Sequence, residues 1–452
     1  MSDLLITGAC LLGGESADVL VREGVIAEVG PGVDAPADIA TIDADGLVLL
    51  PGFVDLHTHL REPGREDTET VASGSAAAAA GGFTAILAMA NTNPVTDSAE
   101  NALHILDLGH AAGLVDVQPI GAVTKGLGGE ELAELGLMAR SRARVRVFSD
   151  DGRCVSDARV MRRALEYIRA FGGVISQHSQ DPDLADSSAC CHEGELSGRL
   201  GLPGWPAPAE STVIARDAML AQHTGSRVHV AHVTTAEGVE VLRWAKSRGI
   251  AMTAEVTPHH LALDTSLLLG YDPTFKVNPP LRPEEDIEAL RAALADGTID
   301  AVATDHAPHA RHDKEHAFVD AAFGLLGLET AFSVVHDVMV TSGRMTLTDL
   351  ADRMSSAPAR IAGLDQHGRP LQAGSPANLV LVDPTRTVTV DRDASHSLAR
   401  NNPWHGRSFT GAVHTTVLRG RVTARDGRAA PNRNGPDPHP THQHETGQEA
   451  PQ

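Results

Sequence analysis

Apolar residues fall into two rhythms along the chain. Over residues 1–50 they come in short bursts at 4–7, 19–21, 25–29 and 41–50, divided by turn signals such as Gly13-Gly14 and Pro31-Gly32, which predicts a set of short β-strands. Beyond Pro51-Gly52 they become compact apolar runs at 53–57, 84–89, 116–122, 144–148, 173–178, 227–232, 251–256 and 300–303. Between these runs, helical periodicity occupies 67–80, 129–140, 157–171, 211–224, 235–248 and 284–296. The helix at 67–80 starts among acidic and threonine cap candidates, passes through Ala76–Ala80 and stops at Gly81-Gly82. Strands alternating with helices predict a parallel α/β fold. Eight such units over about 310 residues fit a (β/α)8 TIM barrel with insertions. A doubly wound open sheet has the same local pattern, and strand count does not exclude it.

After about residue 365 the helical pattern ends, and strand patterns return at 377–382, 388–390 and 412–422. A β-rich beginning and a β-rich end flanking a barrel pack most economically as one small sheet domain. The expected organisation is therefore 1–50 with 365–425 as a composite β domain, 51–364 as the barrel, and 426–452 as a tail. That tail is rich in Pro, Asn, Gln and His, and is expected to be disordered.

Composition narrows the function. The 452 residues carry a net charge of −22 and only 3% aromatic residues, which argues against binding a phosphate backbone or stacking on bases. The longest uncharged stretch, 70–96, is built from Ala, Gly, Thr and Asn and is a poor membrane span. The amino terminus lacks a basic segment before its apolar residues, so no signal peptide is expected. Cys10, Cys154, Cys190 and Cys191 make no disulfide framework, and a cytoplasmic protein is the expectation. Two counts bear on chemistry: histidine occurs 23 times, and lysine only at Lys125, Lys246, Lys276 and Lys314.

Candidate chemistry gathers at strand ends. The first barrel run ends in Asp55-Leu-His57-Thr-His59, and side chains two apart on a strand point the same way, so His57 and His59 face one site. The fourth run ends in Ser149-Asp150-Asp151-Gly152, the fifth in Gln177-His178-Ser179, the sixth in Ala231-His232-Val233 and the eighth in Thr304-Asp305-His306. The carboxyl ends of barrel strands are where active sites are built. Imidazoles and carboxylates together suit zinc or a similar divalent ion. Only one of Asp150 and Asp151 can face inward from a regular strand.

These residues stand in longer runs: Pro51-Gly-Phe-Val-Asp-Leu-His-Thr-His-Leu-Arg-Glu-Pro-Gly64, Ala90-Asn-Thr-Asn-Pro94, Phe148-Ser-Asp-Asp-Gly152, Leu200-Gly-Leu-Pro-Gly204, Asn278-Pro-Pro-Leu-Arg282, Ala303-Thr-Asp-His-Ala-Pro-His309 and Phe323-Gly-Leu-Leu-Gly-Leu-Glu-Thr330. Together they resemble the amidohydrolase superfamily and, within it, the bacterial class I dihydroorotases, over essentially residues 1–425. The resemblance implies a metal-bearing barrel with a small β-sandwich formed by both termini. It implies two zinc ions, one held by His57, His59 and Asp305, the other by His178 and His232, bridged by Asp151 and a hydroxide. Asp151 is preferred to Asp150 because the family's ligand directly precedes the glycine. Many relatives use a carboxylated lysine as this bridge, but no lysine stands near the fourth strand here, which turns the reading away from hydantoinases and the usual allantoinases.

The implied reaction is the reversible closure of N-carbamoyl-L-aspartate to L-dihydroorotate in pyrimidine synthesis, with Asp305 as general acid and base. The same resemblance assigns the substrate carboxylate to Arg61, Asn93 and His309, the ring amide to Asn278, and backbone contacts with the ring to Phe323 and Gly324. Residues 310–322 fit either a mobile lid or a plain surface loop. Two alternatives accompany the reading: another cyclic amidase such as allantoinase or hydantoinase, or a non-catalytic scaffold subunit of aspartate transcarbamoylase. Beyond the small-molecule substrate, a homodimer and an association with that transcarbamoylase are the partners the resemblance raises.

Overall fold

The structure, a computed structural model, describes residues 3–431. Most of the expected tail, 432–452, including His439, His442 and His444, lies outside the described residues.

Eight parallel strands carry the apolar runs: Phe53–Thr58, Phe83–Ala88, Asp116–Pro119, Val147–Phe148, Val174–Gln177, Arg227–Val230, Met252–Val256 and Ala301–Val302. The first three pair in sequence order, and so do the last five. Isolated parallel bridges at Gly121–Phe148 and Thr58–His306 join the two groups, so every strand has a neighbour on both sides. An open doubly wound sheet would leave two edges; this ring leaves none. Several strands are shorter than their apolar runs. The fourth begins only at Val147, because Arg144 adopts a left-handed turn with φ 47°.

The helices between the strands follow their capping chemistry. Val71–Ala80 starts at Thr70, whose side chain accepts from Ser73 N while the Ser73 hydroxyl accepts from Thr70 N. The expected helix at 129–140 begins only at Leu135, since the preceding chain is taken by a short turn at Lys125–Leu127 and a bridge from Thr124 to Leu132. A helix absent from the expectations, Ala99–Ala112, is capped by Ser98 and closed by left-handed Gly113. It buries Ala102, Ile105, Leu106 and Gly109, an i, i+3, i+4, i+7 stripe.

Strands from both ends of the chain form one nine-stranded sheet. Val48–Pro51 pairs in parallel with Leu4–Leu11 and antiparallel with Leu379–Thr389, which ties the amino-terminal strands to the carboxyl-terminal ones. The single strand expected over 41–50 is two, Ala40–Asp43 and Val48–Pro51, and the runs expected at 377–382 and 388–390 are one. The sheet extends past the boundary expected at 425, where Arg428–Ala429 folds back on Arg421–Arg425. Ile6, Val19, Val21, Ile26, Leu49, Leu379, Leu381 and Val417 make its core, separate from that of the barrel. The chain passes from this sheet into the first barrel strand at Gly52, where a β-carbon would sit 2.3 Å from Thr84 Cγ2. Only glycine allows that approach.

Candidate active site

The first strand delivers three inward side chains at spacing two: Asp55, His57 and His59. Asp55 is structural. Its carboxylate accepts from Thr304 N at 2.7 Å and Thr304 Oγ1 at 2.6 Å, fastening the first strand to the eighth directly below the cluster. Burial raises its pKa to about 6, against the opposing effect of these hydrogen bonds.

Above it, ends of five strands bring their polar groups together. Asp151 lies at the centre: Oδ2 is 3.3 Å from His57 Nε2 and 3.4 Å from His59 Nε2, while Oδ1 is 3.4 Å from His178 Nδ1 and 3.3 Å from His232 Nε2. One carboxylate thus divides its two oxygens between two histidine pairs. Asp305 Oδ1 stands on the His57–His59 side, 3.5 and 3.1 Å from their Nε2 atoms. All six side chains are buried. Asp150 turns the other way and accepts from Val123 N, Thr124 N and the Thr124 hydroxyl.

The imidazoles are held in fixed orientations. His57 Nδ1 donates to Glu255 Oε1 at 2.9 Å, His59 Nδ1 to Asn91 Oδ1 at 2.9 Å, and His178 Nε2 to Gln180 Oε1 at 2.9 Å. In each case the other ring nitrogen faces the cluster, where it can give its lone pair to a metal once it is deprotonated. Without metal, burial lowers the pKa of His57, but Asp151 and Asp305 outweigh it and raise it. His57 Nε2 is buried with no hydrogen-bond partner among the described residues. Sequence reasoning missed Glu255, Asn91 and Gln180. Asn91 stood inside the Ala90–Pro94 run, and Gln180 two residues after His178; Glu255 gave no signal, as it lies within the seventh strand.

Charge in the cluster is set by competition. Burial raises the pKa of Asp151, but His57, His178 and His232 outweigh it and hold the carboxyl well below its usual range. Burial likewise raises Asp305, and the nearby His57 and His59 bring it below 3.8. Burial and Arg61 push His59 down. Two ionised carboxylates ringed by inward-facing imidazole nitrogens form a donor set that fits one or two divalent cations; His57, His59 and Asp151 form one candidate group and Asp151, His178 and His232 another. His232 and Asp305 adopt left-handed backbone, φ 31° and 46°, a strained arrangement typical of functional groups.

The groups expected to meet the substrate stand around this cluster. Arg61, also left-handed at φ 63°, donates from Nε to Pro308 O at 3.2 Å, and its Nη2 is 3.4 Å from His309 Nε2. Burial lowers the Arg61 pKa to about 10, so it stays a cation near neutrality. Burial and then Arg61 push His309 down to about 2, leaving it neutral. Gly324 packs against His309, while Asn278 keeps a buried Oδ1 with no partner among the described residues. Phe323 lies beside Lys276, whose ammonium is 4.3 Å from the ring centre. Asn93 is the outlying member: it is exposed, and its backbone N donates to Pro63 O in the loop that follows Arg61.

Comparison with known proteins gives this geometry a family. Residues 46–238 match the family described as Dihydro-orotase-like, and residues 205–423 match the Amidohydrolase family. A dihydroorotase from Streptomyces coelicolor is 56% identical over 428 residues, covering 95% of this chain and 100% of its own length. One from Mycobacterium tuberculosis is 55% identical over 415 residues, covering 92% and 96%. Among solved structures, the L-hydantoinase (dihydropyrimidinase) from Arthrobacter aurescens aligns with a TM-score of 0.84 at 28% identity, covering 95% and 98%. The dihydropyrimidinase from Brevibacillus agri aligns at 0.82 over 94% and 96% with 22% identity, a likeness of fold alone. These neighbours give the α/β architecture as the TIM-barrel fold of amidohydrolases. By near full-length identity, the chain belongs to the dihydroorotase family of the amidohydrolases.

Proposed function

We propose that the chain is a dihydroorotase that interconverts N-carbamoyl-L-aspartate and L-dihydroorotate plus water in pyrimidine (UMP) synthesis, in the cytoplasm, with two zinc ions. The observation that carries this reading is Asp151, one oxygen facing His57 and His59 and the other facing His178 and His232. His57, His59 and Asp305 would hold one ion, His178 and His232 the other, and Asp151 both. Bound there, such ions supply Lewis-acid polarisation of a carbonyl and a water of lowered pKa.

The protein's own groups do the rest. Asp305, ionised and at the edge of the cluster, accepts the proton of the attacking water as its oxygen adds to the ring carbonyl. When the carbon–nitrogen bond breaks, Asp305 returns that proton to the departing amide nitrogen. In the biosynthetic direction the carbamoyl nitrogen attacks the side-chain carboxyl and a carbon–nitrogen bond forms. Asp305 takes the nitrogen's proton and passes it to the oxygen whose bond to carbon breaks, which leaves as water with a second proton from solvent. Arg61 offers a charged fork to the substrate carboxylate that takes no part in the reaction, with neutral His309 beside it and Asn93 farther out. Asn278, with its unpartnered Oδ1, takes the ring N–H, and the Phe323–Gly324 backbone borders the ring.

In this reading, 51–364 is the metal-bearing barrel, and 1–50 with 365–425 is a composite β-sandwich domain. The pairing of Val48–Pro51 with Leu379–Thr389 supports that division. The test is removal of metal: turnover should vanish with chelation and return with zinc, at two ions per chain. Undiminished turnover by the metal-free chain contradicts the proposal.

A further inference from the structure

Residues 307–324 carry several groups proposed to meet the substrate, yet among them the only regular element is the four-residue helix Arg311–Lys314. One buried lysine joins the contacts that order them, among which Lys276 Nζ donates to Val319 O at 2.8 Å. Lys314 Nζ donates to Ala322 O at 2.8 Å, to Gly324 O at 3.0 Å and to Lys276 O at 3.3 Å. In its ammonium form all three protons are used, no carboxylate of the described residues is among its hydrogen-bond partners, and burial lowers its pKa to about 7. A cation buried without a counter-ion is costly. Three converging backbone carbonyls left without donors would be costly too, and an ammonium is the side-chain group that offers three donors from one atom.

Asn401 works on the same backbone from the other side. Its Nδ2 donates to Gly324 O at 3.1 Å and Ala307 O at 3.0 Å, and its Oδ1 accepts from His309 N at 3.2 Å. Gly324 O is therefore gripped by Lys314 and Asn401 together. There is little slack around it: a β-carbon on Gly324 would fall 2.6 Å from Ala307 Cβ and 3.0 Å from His309 Nε2. Pro308 O, between Ala307 and His309, is the acceptor that seats Arg61.

We propose that Lys314 is a positioning residue for substrate binding, setting through Gly324 where His309 and Arg61 meet the substrate carboxylate. This rests on the function proposed above. Lys314 lies outside the metal cluster, so the inference separates binding from metal loading. Of the two sequence readings of 310–322, a mobile lid or a plain surface loop, it favours the surface loop, tied down at Lys314.

The test uses the zinc-loaded full chain and Lys314→Met, with steady-state kinetics on L-dihydroorotate beside zinc content. The expected result is a KM raised about tenfold with kcat within about threefold and zinc content unchanged, as loss of ground-state and transition-state binding alike would give. Asn401→Ala should raise KM as well, and the double variant should fall short of the product of the two effects, since both act on one carbonyl. An unchanged KM in Lys314→Met overturns the proposal, as does loss of zinc, kcat and KM together, which marks a merely structural role. If Lys314→Met fails to fold, Lys314→Gln and Asn401→Ala decide by the same criteria. Should the wild-type chain ignore dihydroorotate but open another cyclic amide, the proposed function fails, and the KM comparison on that amide still tests Lys314.

Discussion

Glu255 Oε1 lies 2.9 Å from His57 Nδ1, and its other oxygen lies 3.0 Å from His229 Nε2. The carboxylate sits fully inside the barrel. Burial would raise its pKa, but the two histidines bring it down to about 2, so it stays ionised. An ionised acceptor on Nδ1 makes the opposite nitrogen of His57 a better donor to a metal. Glu255→Gln should therefore weaken zinc binding on the order of 10–100-fold, measured by competition with a chelator. Unchanged affinity would show that the contact only packs the barrel.

Asp150 and Asp151 are adjacent in sequence but do opposite work. Asp151→Ala should lower zinc content sharply with a modest change in folding stability. Asp150→Ala should keep zinc but destabilise the fold by about 1–3 kcal/mol for each buried N–H left without an acceptor. Metal analysis and urea denaturation of both variants separate the two. Equal metal loss would contradict the assignment of Asp151 as the shared ligand.

Asp305 is given a proton-transfer role as well as a place beside His57 and His59. Asp305→Asn keeps the size and an oxygen donor but cannot take up the proton, so zinc should largely remain while kcat falls by about 10²–10⁴. Near-normal turnover would remove Asp305 as the general base.

At the amino-terminal end of the barrel, Asp116 pairs with His367 at 2.9 Å and with Arg419 at 2.6 and 2.8 Å. Burial opposes ionisation, but these partners outweigh it and hold the carboxyl below its ordinary 3.8. A depressed carboxylate stabilises the fold above its unfolded pKa, and that contribution is lost as the pH falls below 3.8. Asp116→Asn should cost stability at neutral pH, with the deficit shrinking toward about pH 3 in denaturant titrations. A deficit that is constant with pH would assign the effect to packing.

The sequence made some of this legible for physical reasons. His57 and His59 are readable because period two is rigid on a strand, and His178, His232 and Asp305 because they end the fifth, sixth and eighth apolar runs. The end of the fourth run leaves Asp150 and Asp151 open, and only the family resemblance selects Asp151. Glu255 was hidden: a carboxylate inside a buried strand looks like an error until His57 and His229 are seen flanking it. The helix Ala99–Ala112 carries a clean apolar stripe and a Ser98 cap, a local pattern that the sequence does hold. Lys314 has no local signature in the sequence, since its three carbonyl partners include one 38 residues away, at Lys276. Long-range contacts of that kind leave no local pattern.

The most direct test is turnover of L-dihydroorotate, hydantoin and allantoin by the zinc-loaded chain, with metal counted in the same preparation. The account predicts hydrolysis of dihydroorotate, closure of N-carbamoyl-L-aspartate, and little activity on the two rings that lack the carboxylate proposed to bind Arg61. Preference for hydantoin or allantoin, or no turnover at full metal content, would contradict it.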